Sequence, residues 1–181
     1  MSLLTKSLEE LESTGKNYFV EDGLHNAICV AVADLGVVEV EFEGEKKTQN
    51  KMKVAWALEP KDDDGQHFVI EREFNAVISD KSTLKKFLTQ ARIEIKEVVQ
   101  LLDTRCKILT QIATGKNSGK KYVGINSYMA GEGFTPSGKI ELPFWWGDFE
   151  PDCMAKLANA EIGEKRVKKE DASPTTNDLP Y

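Results

Sequence analysis

Residues Arg105–Tyr128 run RCKILTQIATGKNSGKKYVGINSY, and no other segment constrains the fold as tightly. They read as two β-strands joined by a tight, basic loop. Arg105–Ala113 is rich in Ile, Leu and Thr, while Lys120–Tyr128 alternates. The alternation predicts that Val123 and Ile125 face a core and that Tyr122, Gly124, Asn126 and Tyr128 face out. Between the strands, Thr114-Gly115-Lys116-Asn117-Ser118-Gly119 is turn chemistry. Arg105, Lys107, Lys116, Lys120 and Lys121 are the charged residues here, and all are basic. A single-stranded nucleic acid needs such cations for its phosphates and flat rings on which its bases stack. The competing reading is an ordinary surface hairpin with solvated lysines.

The whole chain has the opposite sign. Its 181 residues carry a formal net charge of -6, which argues against coating nucleic acid by bulk charge. Glu9, Glu10, Glu12, Glu21 and Asp22 make the beginning acidic, and the part beyond Asp148 is mixed but net acidic. Positive charge gathers at Lys46–Lys53 and Arg105–Lys121, which suggests a basic face with acidic flanks. The length suits one medium domain with extensions. Cys29, Cys106 and Cys153 show no CxxC spacing, so no structural zinc is expected. Cys29 and Cys106 lie in apolar patterns as small core residues, which fits a reducing cytoplasm. Neither a secretory leader pattern nor an apolar run of membrane-spanning length is present, so no membrane is expected among the partners.

Upstream of the hairpin the chain is strand-like. Residues 1–22 are polar, with Leu4, Leu8 and Leu11 hinting at a short amphipathic helix. Gly23–Phe42 contains the apolar run Ala27–Ala33, which suits a central strand covered on both sides or curling into a barrel. Gly36 marks a bulge or bend, and Val38, Val40 and Phe42 then alternate with Glu39, Glu41 and Glu43. Glu43-Gly44-Glu45 is a turn. In Lys46–Leu58 the even positions Met52, Val54, Trp56 and Leu58 are core-facing. Lys47, Lys51 and Lys53 line the other face, whose positions step at about 6–7 Å. A solvated lysine face guarding a strand edge is the alternative. Lys61-Asp62-Asp63-Asp64-Gly65 is a turn, lacking the alternating ligands and distal Glu of a calcium loop.

Gln66–Ile78 is expected to be a third strand. Phe68, Ile70 and Phe74 share a parity with Arg72, so the row either bulges or faces a ligand. If exposed, Arg72 and Phe74 form a cation-and-ring pair suited to a nucleotide. Ser79-Asp80 offers a helix N-cap, and Leu84, Phe87, Leu88, Ala91 and Ile95 follow at helical spacing. Three strands, a helix and two strands is the arrangement of the OB-fold. That Greek-key barrel binds its ligands on strands two and three and on the loops after strands one and four. The two basic segments fall on those places.

The expected organisation is a polar or helical extension over 1–22, a five-stranded OB-fold domain over 23–130, an aromatic-rich extension over 131–162 and a disordered tail over 163–181. The cluster Leu142–Phe149 packs back on the barrel, forms a dimer contact or stacks bases. The surrounding Glu141, Asp148, Glu150 and Asp152 favour packing or association. A short helix is expected over Asp152–Asn159. Residues 163–176 are charged and Ser/Thr/Pro-bearing. The last residues, Asn177-Asp178-Leu179-Pro180-Tyr181, combine an acid, an aliphatic, a proline and an aromatic, a composition suited to capture in a basic-rimmed pocket.

The span from Gly23 to Tyr128 resembles a group of bacteriophage OB-fold single-stranded DNA-binding proteins. The resemblance is carried by AVADLG at Ala31–Gly36, the lysine-bearing strand leading to Lys53–Leu58, and FVIEREFNAVISDKSTLKKFL at Phe68–Leu88. LLDTRCKIL at Leu101–Leu109 and GKKYVGINS at Gly119–Ser127 complete it. It implies sequence-tolerant binding of displaced single strands in phage replication or recombination, in the host cytoplasm. The ending NDLPY separately is similar to the acidic tip by which bacterial single-stranded DNA-binding proteins recruit replication and repair enzymes, although this chain has one aspartate there and ends in Tyr181.

The expected site therefore comprises Lys47, Lys51, Lys53, Lys116, Lys120 and Lys121 on phosphates. Arg72, Phe74 and Tyr122, with Tyr128, would meet bases, and Asp178, Leu179, Pro180 and Tyr181 a protein partner. No cofactor is implied. No Ser-His-Asp order, P-loop or catalytic carboxylate pair stands out, so an enzyme is not expected. An RNA-binding OB module and a protein-interaction or assembly module built on Phe144–Phe149 are the alternatives.

Overall fold

A computed structural model of the chain describes residues 19–164. The helix expected around Leu4, Leu8 and Leu11, most of the tail and its Asp178–Tyr181 tip lie outside the described residues. The protein is mainly β. Its strands are β1 (Gly23–Phe42), β2 (Glu45–Lys61), β3 (His67–Asn75), β4 (Arg105–Thr114) and β5 (Lys121–Ala130). The helix α1 (Thr83–Ala91) and a 3-10 turn, Val98–Leu101, lie between β3 and β4. The five strands form one antiparallel sheet in the order β3-β2-β1-β4-β5.

β1 organises the sheet. Gly23–Ile28 pairs with β4, and Ala27–Phe42 pairs with β2. Where β4 departs, a short strand β7 (Met154–Lys156) takes over the open edge opposite Ala31–Ala33. Segment 152–159 is thus a 3-10 turn followed by a strand, not the helix expected. The free backbone groups of Ala31–Ala33 offer it ladder hydrogen bonds, which outweigh local helical preference.

Over Ala27–Ala33 both faces of β1 are covered, which explains that apolar run. Ala27, Cys29 and Val32 enter an inner core with Met52, Val54, Trp56, Leu58, Phe74, Phe87 and Tyr128. Ile28, Val30, Ala31 and Ala33 enter an outer core with Ala55, Ala57, Ile140, Leu142, Trp146 and Ala160. The outer core is roofed by the extension, which adds β6 (Ile140–Leu142) and β8 (Ala160–Ile162) as a parallel pair. Four alanines on that face leave a shallow floor that the large Trp146 ring fills. The extension therefore packs back on the sheet.

The even positions of β2 point inward as their periodicity predicts, and Trp56 is fully buried. It lies 5.4 Å from Phe87, 5.7 Å from Tyr128 and 6.2 Å from Phe74, between ring centroids. Gly36 adopts φ +70° beside a register shift between Asp34 and Gly36, the expected bulge. α1 buries Leu84, Phe87 and Ala91. Its N-cap is Ser82, three residues beyond Ser79, because the Ser82 Oγ accepts from the Lys85 N–H at 3.1 Å. It stops at Arg92, which turns left-handed at φ +53°, so Ile95 falls beyond it.

Two aromatic placements differ from the expected site. Tyr128 is buried in the inner core, not outward. Leu109 faces Ser127 and Thr110 faces Ile125, so Asn126 is an extra residue on β5. That bulge reverses parity, letting odd Val123 and Ile125 and even Tyr128 all face inward. Phe74 is 1% exposed, which removes it from the expected base-stacking set. Its row faces the inner core rather than a ligand.

Candidate nucleic-acid interface

The β1–β2 hairpin extends past the core as an arm. From Asp34 to Lys51 no residue is buried. Its tip, Glu43-Gly44, has φ +52° and +80°, the paired left-handed geometry of a type I′ turn, whose twist matches the strands. Lys47, Lys51 and Lys53 share one face, opposite Val40, Gly36 and Ala33. They differ in freedom. Lys47 is exposed with Glu45 at 3.9 Å, whereas the Lys53 side chain is only 18% exposed and lies 3.9 Å from Glu73. Val38, Val40 and Phe42 lie on this same face, and Phe42 is 62% exposed. The strand pattern shows these apolar positions, but only the cross-strand register sets them beside the lysines.

The second basic element is the β4–β5 loop. Its backbone is tied by Gly115 N–H to Lys120 O at 2.9 Å and Gly119 N–H to Gly115 O at 3.0 Å. Gly119 supplies the φ of +64° that this closure requires. Lys116, Lys120 and Lys121 are exposed, and among the described residues no carboxylate lies within ion-pair distance of them. Tyr122 follows at 52% exposure on the outer face of β5. Its ring lies beside Gly124, where an added Cβ would meet Tyr122 Cε2 at 3.7 Å. A glycine there keeps the surface beside the ring open.

That outer face continues across paired strands. Ser127, Leu109 and Leu24 follow one another across β5, β4 and β1, as do Met129, Lys107 and Asn26. Leu24 and Met129 are exposed. Sequence reading missed both, since their outward direction depends on the Asn126 bulge and on the β1–β4 register.

The two basic elements lie toward opposite ends of β1. β4 pairs with Gly23–Ile28 and its loop lies past the start of that strand, whereas Lys47–Lys53 run beside Ala33–Val40. Between them the outer face of β2 and β3 is partly acidic and partly covered. Glu73 sits against Lys53. Glu71 accepts hydrogen bonds from the Nε1–H groups of Trp145, at 2.9 Å, and of Trp146. Arg72 is half-buried and engaged. Its Nη1 donates to Tyr128 Oη at 3.1 Å, with the guanidinium carbon 5.3 Å from the Phe74 centroid.

Cys29 and Cys106 are packing groups. Burial pushes the Cys29 thiol up, aided by its neighbour Cys106, and burial pushes Cys106 up to about 12. Both stay protonated and unreactive at neutral pH. Among the described residues no set of three or more His, Cys, Asp and Glu side chains is placed to hold a metal ion. No helix among them is long and apolar enough to cross a membrane. Comparison of the chain with protein-family models and with curated proteins returned no match.

Proposed function

We propose that this protein is an OB-fold single-stranded DNA-binding protein with sequence-tolerant recognition, acting on displaced strands in phage replication or recombination. The carrying observation is Tyr122, exposed beside three lysines that no described carboxylate offsets. Lysines without local partners are available to phosphates, and an exposed ring offers a π-face to any base. Leu24 and Met129 extend the apolar surface on the same side. The strand order, with α1 between β3 and β4, supports the OB reading. So does the aromatic cluster of Trp56, Phe74, Phe87 and Tyr128, which brings β2, β3, α1 and β5 around one interior. The Asp178–Tyr181 tip would recruit replication or recombination proteins.

The test is fluorescence anisotropy with labelled oligo-dT, matched duplex and matched RNA at two salt concentrations. Tight binding selective for single-stranded DNA, weakening steeply with salt, is the expected result. An RNA preference would reassign the substrate, and absence of binding at low salt would remove the reading. A second reading, a protein-interaction or assembly module, draws on Phe144 and Trp145, each 40% exposed on the extension. It expects concentration-dependent assembly in light scattering and no oligonucleotide binding.

A further inference from the structure

A cleft of about 680 Å³ lies between the β2–β3 turn and the extension. Among the described residues its walls carry the carboxylates of Asp62, Glu141 and Glu164 and no lysine or arginine. Phe68, Val69, Leu142, Pro143, Phe144 and Trp145 supply its apolar surface. His67, 8% exposed, also lines it, and its buried Nε2 has no hydrogen-bond partner among the described residues, while Nδ1 meets the Glu59 carbonyl at 2.9 Å.

The charge of the chain reverses at this cleft. Glu164 stands in its wall, and the next residues are Lys165-Arg166-Val167-Lys168-Lys169. Four cations and one aliphatic side chain thus begin one peptide bond from an acid-walled, apolar-surfaced groove. Because the run is tethered at the wall, its effective concentration there is of the order of millimolar or above, so weak individual contacts suffice.

We propose that this cleft is the docking site of the chain's own basic run, Lys165–Lys169. The bases face the carboxylates, and Val167 and the lysine stems lie along Phe144 and Trp145. This proposal is independent of nucleic-acid binding. It assigns the exposed rings of the extension an intramolecular partner, and it withholds four cations from the solvent-facing charge.

The three tryptophans allow a selective readout. Trp56 and Trp146 are fully buried, so acrylamide quenching in the full chain reports Trp145. Neutralising the run as Lys165→Gln, Arg166→Gln, Lys168→Gln and Lys169→Gln is expected to raise the quenching constant about twofold. Raising salt to about 1 M, where the Debye length is about 3 Å, is expected to do the same to the wild type and not to that variant. Glu141→Lys, an exposed substitution, should raise quenching with the run intact. Equal quenching in wild type and both variants would overturn the proposal. Wild-type quenching that falls as protein concentration rises would overturn it as well, by placing the run in a second copy.

Discussion

Arg72 and Tyr128 join the two ends of the five-strand sheet: Arg72 Nη1 on β3 donates to Tyr128 Oη on β5 at 3.1 Å. These strands are the outermost in the order, and no ladder connects them among the described residues. Burial of the phenol at this contact has an electrostatic consequence. Burial pushes the Tyr128 phenol up to about 12 from its ordinary 10, with Arg72 pulling the other way. The folded state keeps a proton that the unfolded chain releases near pH 10. The resulting stabilisation is intact below pH 10 and is lost as pH rises toward 12. Tyr128→Phe should therefore flatten the alkaline decline in urea midpoints measured between pH 9 and 12. Parallel declines for both proteins would refute this coupling.

Tyr122 and Phe74 should separate binding from folding. Tyr122→Ala should weaken oligo-dT binding by about 1–3 kcal/mol with the melting temperature unchanged, since the ring is exposed. Phe74→Ala should destabilise by about 3–5 kcal/mol, because it empties a site in the inner core. Paired titrations and thermal melts decide. A large loss of stability in Tyr122→Ala would show that its ring is structural.

The loop lysines should act through counterions. Replacing Lys116, Lys120 and Lys121 together by alanine should lower the slope of log affinity against log salt by roughly one for each phosphate no longer neutralised. An unchanged slope would mean that these three lysines stay solvated in the complex.

The Asn126 bulge should matter by its count rather than its side chain. Asn126→Ala keeps the extra residue and loses one exposed hydrogen bond to Gln111, at about 1 kcal/mol. Deleting Asn126 forces either Tyr128 or the Val123–Ile125 pair onto the wrong face. Displacing a buried aromatic costs about 3–5 kcal/mol, so the deletion should unfold at far lower denaturant. Similar midpoints for the two variants would contradict the bulge assignment.

Glu71 should latch the extension. It is the acceptor for both Trp145 and Trp146 Nε1–H. Glu71→Ala leaves the buried Trp146 donor unpaired, at a cost of about 1–3 kcal/mol, while Glu71→Gln keeps an acceptor and should cost less. Hydrogen exchange across β6–β8 would register the loosening. Equal protection in Glu71→Ala and the wild type would rule out the latch.

Much of the fold was legible along the chain because its signals are local. The even-numbered core of β2, the Gly36 bulge, the turns at Glu43-Gly44 and 115–120 and the outward Tyr122 each follow from alternation or turn chemistry over a few residues. The burial of Tyr128 and Phe74 was not legible in this way. One depends on a single unpaired residue, Asn126, and the other on whether a row containing Arg72 closes against β5. Likewise Ala31, Ala33, Ala55 and Ala57 show only that a face is smooth, and Trp146 covering it is a contact between distant parts of the chain. Alternation therefore determines which residues share a face. Which face is buried, and what Phe42 or Glu71 stands beside, is decided by strand pairing and packing, because those bring together residues that no local pattern links.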